Sequence, residues 1–198
     1  MSPATVQRYL FWIDGVGTWL VICGRSMVLG GAVESSSADI RLMAPLSRRY
    51  AAFEQSGEGW MLRMLDGGAP ARVLVSGRSI DFAGRVSLEF RVPSVLSLSA
   101  VLRPEVPQRL VPYADGVVLL ADRMLLGARR DAHICCPQLD EYLVFYADGG
   151  RLWCRSAAAF EVNGGVSSGA AGLVGGDVIA VGDFRVRIED MVGREVGR

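Results

Sequence analysis

The sequence contains no lysine: all 21 of its basic residues are arginine. That removes the phosphate-loop lysine, the lysine that forms a Schiff base and the lysine of the kinase strand. Histidine is nearly absent too, with His133 alone, so a Ser-His-Asp triad or a multi-histidine metal centre would have to be built around one ring. No carboxylate pair stands at a recognisable spacing. The four cysteines, Cys23, Cys135, Cys136 and Cys154, show no CxxC spacing. Adjacent cysteines do not easily serve one tetrahedral centre, so they read as buried thiols, not as a zinc site or a disulfide framework. Net charge is also missing: 21 acidic residues balance the 21 arginines, with a pI near 6.6. No global field draws the chain to nucleic acid or to an acidic membrane surface. No apolar run approaches the roughly 20 residues that span a bilayer. The N-terminal MSPATVQRYLFWIDGVG, with one arginine and an early acid, is unlike a signal peptide. These absences predict a cytoplasmic, non-catalytic protein with no metal, no cofactor, no nucleic-acid partner and no membrane partner.

What is present is apolar and short-ranged. Half of the 198 residues (51%) are hydrophobic, enough for a packed core. They fall in short runs bounded by glycine or proline, such as Trp19 to Cys23, Trp60 to Leu65, Val117 to Leu120 and Leu143 to Tyr146. Val86, Leu88, Phe90 and Val92 alternate with Ser87, Glu89 and Arg91, and Phe184, Val186 and Ile188 alternate with Arg185 and Arg187. Period two is the signature of a half-buried strand. With no convincing helical periodicity, the expected fold class is all-β, built from sandwiches. The run NGGVSSGAAGLVGGD, residues 163–177, lacks lysine and opens no helix, so it reads as a flexible hairpin loop.

The chain also repeats itself. WLVICGRSMVLGG, residues 19–31, matches GVVLLADRMLLGA, residues 116–128; DIRLMAPLSRRYAAF, residues 39–53, matches DAHICCPQLDEYLVF, residues 131–145. This alignment sets Asp39 on Asp131, Arg41 on His133, Tyr50 on Tyr142 and Phe53 on Phe145. Further on it sets Trp60 on Trp153 as a repeated core position, and Val75-Ser76-Gly77 on Val162-Asn163-Gly164. His133 accordingly reads as a structural strand residue. The expected units are residues 8–94 and 113–191, joined by a linker over 95–112. Leu96 to Leu102 could add a strand, but Pro104, Pro107 and Pro112 make a stiff tether of about 3.1 Å per residue where polyproline-like. Two sandwiches would sit side by side on it, with proteases cutting first near residues 100–115.

Leu29-Gly30, then Ser37-Ala38-Asp39-Ile40, then Leu46-Ser47-Arg48-Arg49-Tyr50-Ala51, then Asp66 and Gly77 resemble the motif string of a forkhead-associated (FHA) domain. The resemblance covers about residues 9–94 and, more weakly, 113–190. The tandem arrangement is similar to FHA-like proteins of planctomycete-type bacteria. It implies two tandem FHA-like β-sandwiches whose loops take phosphothreonine peptides, a signalling chemistry of recognition and not of catalysis. In that family an arginine after the Leu-Gly turn and the serine of a Ser-Arg-x-His motif hold the phosphate, and a hairpin asparagine holds the peptide backbone.

This chain departs from the pattern. The first repeat has Gly31 at the arginine position, Tyr50 at the histidine and Ala71 at the asparagine; the second has Ala128, Leu139 and Tyr142 at the arginine, serine and histidine, and a hairpin read as shortened to residues 156–164. The resemblance leaves Gly30, Gly31, Ser47, Arg48 and Arg49 as the candidate phosphopeptide site, with Gly31 offering a backbone N–H where a side chain is lost. Arg129 and Arg130 stand as a second anion contact. The expected partner is a protein carrying a phosphothreonine or an acidic segment, held with weakened phosphothreonine selectivity. The alternative is a tandem scaffold that has lost phosphopeptide binding.

Overall fold

The structure is a computed structural model that describes residues 6–57, 59–67, 69–106 and 109–191. Pro107, part of the expected tether, lies outside them. The described residues form nineteen β-strands and no α-helix. The all-β expectation therefore holds.

The first repeat supplies β2 (Gly17–Cys23), β3 (Ser26–Gly31), β4 (Ile40–Leu42), β5 (Ala51–Ser56), β6 (Gly59–Met64), β7 (Arg72–Val73), β8 (Arg78–Phe82) and β9 (Val86–Arg91). The second supplies β12 (Gly116–Leu120), β13 (Arg123–Gly127), β14 (Ile134–Cys135), β15 (Leu143–Asp148), β16 (Arg151–Val162), β17 (Gly165–Leu173), β18 (Val178–Val181) and β19 (Phe184–Asp190). Each series opens after an extra strand, β1 (Gln7–Ile13) or β10 (Ala100–Pro104), and β11 (Leu110–Val111) adds to the edge of β4. The pairings of β3 with β4 and β5, β5 with β6, and β8 with β9 recur as β13 with β14 and β15, β15 with β16, and β18 with β19.

Residues 100–104, within the segment expected as a tether, form a strand. β10 is hydrogen-bonded on both sides, to β9 and to β12, and Ala100, Val101 and Leu102 are buried. β2 and β12 then pair in parallel, and β1 pairs with β2 and with β19. One sheet thus runs β8-β9-β10-β12-β2-β1-β19-β18 through the middle of the molecule. The strand preceding each repeat closes the sheet of the other: β10 lies against the last strand of the first repeat, and β1 against the last strand of the second.

Two cores lie on opposite faces of this shared sheet. On β1 and β2, Leu10, Leu20 and Ile22 face the first core, while Phe11, Ile13, Trp19 and Val21 face the second; on β12, Val117 and Leu119 face the first, and Val118 and Leu120 the second. Strands buried on both faces read as continuous apolar runs without alternation, which is why WLVIC and VVLL lack the period-two pattern of β9 and β19. The first core is closed by the sheet β11-β4-β3-β5-β6-β7. The second is closed by β13, β15 and the first half of β16, which passes through an irregularity between Ser156 and Phe160 and then pairs with β18.

The joint is polar and partly buried. Asp122 Oδ1 accepts hydrogen bonds from Ser97 Oγ (2.8 Å), Leu98 N–H (3.0 Å) and Ser99 Oγ (3.1 Å), and Trp60 Nε1–H donates to the Leu98 carbonyl at 2.7 Å. Burial alone would raise the Asp122 carboxyl, but these bonds and one from the Arg123 N–H hold it below the usual range. A serine-rich stretch read as part of a connector is therefore pinned from both repeats.

Three alignments of the repeat shift. Trp60 is 2% exposed and faces the first core, whereas Trp153 points out of the opposite face of its sheet; the inward equivalent is Leu152, because Tyr146 pairs with Trp153 where Glu54 pairs with Met61. A slip of one residue exchanges faces. Val75-Ser76-Gly77 precedes β8, but Val162-Asn163-Gly164 is the tip of the β16–β17 hairpin, where Asn163 (φ 53°) and Gly164 (φ 81°) adopt the left-handed pair of a type I′ turn. The hairpin is accordingly lengthened, not shortened, and most of the glycine-rich run is strand β17. In the third, His133 takes the place of Asp39.

Candidate functional site

β3 ends in two buried glycines that carry the loop 43–50 directly on their backbone. The Gly31 N–H donates to the Ser47 carbonyl at 2.9 Å and the Tyr50 N–H to the Leu29 carbonyl at 2.8 Å. A Cβ on Gly30 would lie 2.2 Å from the Arg48 carbonyl oxygen, so only glycine permits this approach. Ser36 Oγ caps the same carbonyl at 3.2 Å. The structure thus brings Gly30, Gly31 and the backbone of Ser47 and Arg48 together, and leaves the side chains of Ser47, Arg48 and Arg49 exposed. The expectation for Gly31 fails in one respect: its N–H is occupied by Ser47 and is no donor for a ligand. The glycines shape the loop and do not contact what it binds.

Among the described residues neither Arg48 nor Arg49 makes a side-chain hydrogen bond or an ion pair. Asp39 is within electrostatic reach of Arg49, but its carboxylate accepts the Val28 N–H at 2.8 Å. Burial pushes its carboxyl above the ordinary value. Sequence reasoning missed Arg109, whose Nη1–H donates to the Met43 carbonyl at 3.2 Å while the Met43 N–H returns to the Arg109 carbonyl at 2.8 Å. It adds an exposed guanidinium at the start of the same loop. No local pattern marks it, because it lies in the proline segment and reaches the loop only through the β11–β4 pairing.

The second repeat is internally occupied at the equivalent place. Tyr142 lies over Gly127, with its ring carbons 2.5 Å from where a Cβ would be; its hydroxyl donates to Asp131, and the Arg129 guanidinium sits 5.6 Å from the ring centroid. Burial and the Asp131 carboxylate together push the Tyr142 hydroxyl up to about 12. Arg130 is exposed. Beside this cluster a cavity of about 360 Å3 is lined by Asp140, Glu141 and Asp183, the wrong sign for an anion.

His133 corresponds to Asp39, not to Arg41. Asp39 accepts the Val28 N–H and donates its own N–H to the Val28 carbonyl; His133 makes the same pair with Leu125, its Nδ1 accepting at 3.1 Å and its N–H donating at 2.9 Å. With Nδ1 an acceptor, Nε2 carries the proton and donates to the Ser99 carbonyl at 3.3 Å. The residue is 3% exposed, and burial lowers the pKa of its ring to about 4. Between pH 6.5 and 4 the unfolded chain binds the proton and the folded chain does not, so stability falls as pH drops through that window, by about 1.4 kcal/mol per unit where the difference is a full proton. Urea titrations at pH 6.5 and 5 should show this slope in the wild type and its loss in His133→Gln; an unchanged slope would show that the ring is not held neutral.

Cys23, Cys136 and Cys154 are buried free thiols raised to about 12 by burial, whereas Cys135 is exposed. Among the described residues no cluster of histidine, cysteine and carboxylate side chains could hold a metal, and no helix is long and apolar enough to cross a membrane.

No protein-family model and no curated protein matches the sequence. Among solved structures the chain is similar to the N-terminal FHA domain from EssC, a component of the bacterial Type VII secretion apparatus, at 15% identity over 91% of this chain and 92% of that one, with a TM-score of 0.26. A likeness at that score carries no argument about function.

Proposed function

We propose that the chain is a non-catalytic protein-interaction module of FHA type that takes an acidic or phosphorylated segment of a partner protein on the loop carrying Ser47, Arg48 and Arg49. The observation that supports this is a clamped loop with uncommitted charge: its backbone is held on Gly30 and Gly31, while two adjacent guanidiniums and a hydroxyl stand exposed without an ion pair among the described residues. Charge-assisted bonds of this kind contribute about 1.5–3 kcal/mol each. Without a free Gly31 N–H or an arginine at position 31, selectivity for phosphothreonine over other anions is weak. The Arg129 and Arg130 contact is secondary, because Asp131 and the acidic cavity compete with any anion there. A cytoplasmic location fits the four free thiols.

The test is titration with a degenerate phosphothreonine peptide library beside its unphosphorylated twin, for the wild type and for Arg48→Ala with Arg49→Ala. Binding that depends on negative charge should fall at least about tenfold, some 1.4 kcal/mol, in the double variant. Undetectable binding, or equal binding of both proteins, would favour the scaffold reading, to which the shared central sheet already lends a physical basis.

A further inference from the structure

The outward position of Trp153 exposes a device that the first repeat lacks. Along the outer face of β15 and β16, Arg151 sits 5.6 Å from the Trp153 ring, Trp153 stacks on Tyr146 at 6.5 Å and 13°, and Arg155 sits 5.9 Å from Tyr146. Guanidiniums held on aromatic faces keep their N–H edges free. Neither arginine forms an ion pair or a side-chain hydrogen bond among the described residues, although Asp148 stands opposite Arg151 in the ladder. At the matching places of the first repeat are Glu54 and Met61, and Glu54 is neutralised by Arg63.

Beside this ladder runs an open edge. β17 pairs with β16 alone among the described strands, and its nine residues, GVSSGAAGL, include no charged side chain and no proline. Exposed edges are normally guarded by just those residues. Gly172 lies opposite Trp153, and the Arg151 guanidinium covers it so closely that a Cβ there would be 2.7 Å from Nε. Ala170 lies opposite Arg155. The small residues of β17 therefore leave Arg151, whose guanidinium already lies over Gly172, within reach of the side chains of an added strand, while Arg155, held on Tyr146 of β15, adds positive charge on the same face farther from the edge.

The geometry points to β17 as a strand-addition site for an extended acidic segment of a partner protein, with main-chain pairing along β17, a carboxylate of the alternate positions meeting Arg151, and Arg155 adding to the positive charge of that face. The charge selects this occupant over a second copy of the chain. Antiparallel pairing of two β17 edges keeps the outer faces on one side and brings two faces of the same positive sign together, whereas an acidic segment is complementary to that face. This site is separate from the loop of Ser47, Arg48 and Arg49 and stands whether or not that loop binds.

The probe is a capped nine-residue peptide alternating glutamate and valine, beside its lysine twin, titrated into the full chain with hydrogen exchange followed by mass spectrometry. The glutamate peptide should bind, the lysine twin should not, and amides within residues 165–173 should exchange more slowly in the complex. Affinity should fall at least about tenfold in Arg151→Ser with Arg155→Ser, two exposed positions whose replacement leaves both cores intact, and should be unchanged in the Arg48→Ala, Arg49→Ala variant. Absence of binding, equal binding of the two peptides, insensitivity to the Arg151 and Arg155 changes, or concentration-dependent protection of β17 in the peptide-free chain would each overturn the assignment, the last by identifying a second copy as the occupant.

Discussion

Cut between Val95 and Leu96 and expressed as separate pieces, residues 1–95 and 96–198 are each expected to lack a cooperative fold, and to recover one when mixed. The cut falls at an exposed tip, with Val95 fully and Leu96 79% exposed, so it disturbs no core by itself. The first piece keeps β1 to β9 but loses Ala100, Leu102, Leu110, Val117 and Leu119 from its core; the second keeps β10 to β19 but loses Tyr9, Phe11, Ile13, Trp19 and Val21 from its own. At about 1.5–3 kcal/mol for each large side chain, either loss is of order 10 kcal/mol. That equals or exceeds the whole net stability of an ordinary domain, about 5–15 kcal/mol. Each piece also exposes the unpaired edges of strands that belong in the middle of a sheet, which favours aggregation. Near-ultraviolet circular dichroism and thermal melts of the pieces, alone and mixed, decide the matter. A cooperative transition in either piece alone would show that the repeats are independent units after all. Protease should likewise cut the intact chain first at this tip, not within residues 100–104, which lie hydrogen-bonded between β9 and β12.

Which features were legible in the sequence follows from what strand periodicity can and cannot encode. β9 and β19 alternate because each has one face on a core and one in water, and they were readable for that reason. β2 and β12 do not alternate because both faces are buried, and an unbroken apolar run tells nothing about which neighbour covers which face. The same limit governs the repeat. Setting Asp39 on Asp131 was wrong by two residues, which preserves the face and leaves the apolar pattern intact, so nothing in the sequence betrayed it; the match of Asp39 to His133 appears only when both accept the N–H of the middle residue of the preceding strand. Setting Trp60 on Trp153 was wrong by one, which moves a core tryptophan to the surface, and it hid the arginine–aromatic ladder. In the candidate site, the exposed Ser47, Arg48 and Arg49 were found from a motif. The engagement of the Gly31 N–H and the approach of Arg109 were not, since both depend on where distant backbone lies.

The glycine pair offers the sharpest single-residue test of how that loop is held. Gly30 has no left-handed backbone requirement; what it lacks is room. A Cβ would meet the Arg48 carbonyl oxygen at 2.2 Å, the Arg48 carbonyl carbon at 2.6 Å and the Ser47 carbonyl oxygen at 3.0 Å, all of them backbone atoms that cannot rotate aside. Gly30→Ala must therefore displace the loop, adding overpacking strain of about 1–3 kcal/mol and weakening the Gly31–Ser47 and Tyr50–Leu29 hydrogen bonds, each worth about 1 kcal/mol. The expected loss is about 2–5 kcal/mol, a fall in Tm of roughly 5–15 °C for a chain of this size. Gly127→Ala is the matched comparison in the second repeat. There the obstacle is the Tyr142 ring, a side chain that can swing outward at the cost of its contacts with Arg129 and Asp131, so the loss should be smaller by at least about 1 kcal/mol. Thermal melts of the two variants measure the difference. Gly30→Ala should in addition lose the charge-dependent peptide binding of Arg48 and Arg49 at temperatures where it remains folded, whereas Gly127→Ala should keep it. If the two alanines destabilise equally, or if Gly30→Ala binds as the wild type does, the clamp between β3 and the Ser47–Arg49 loop is not what positions those arginines.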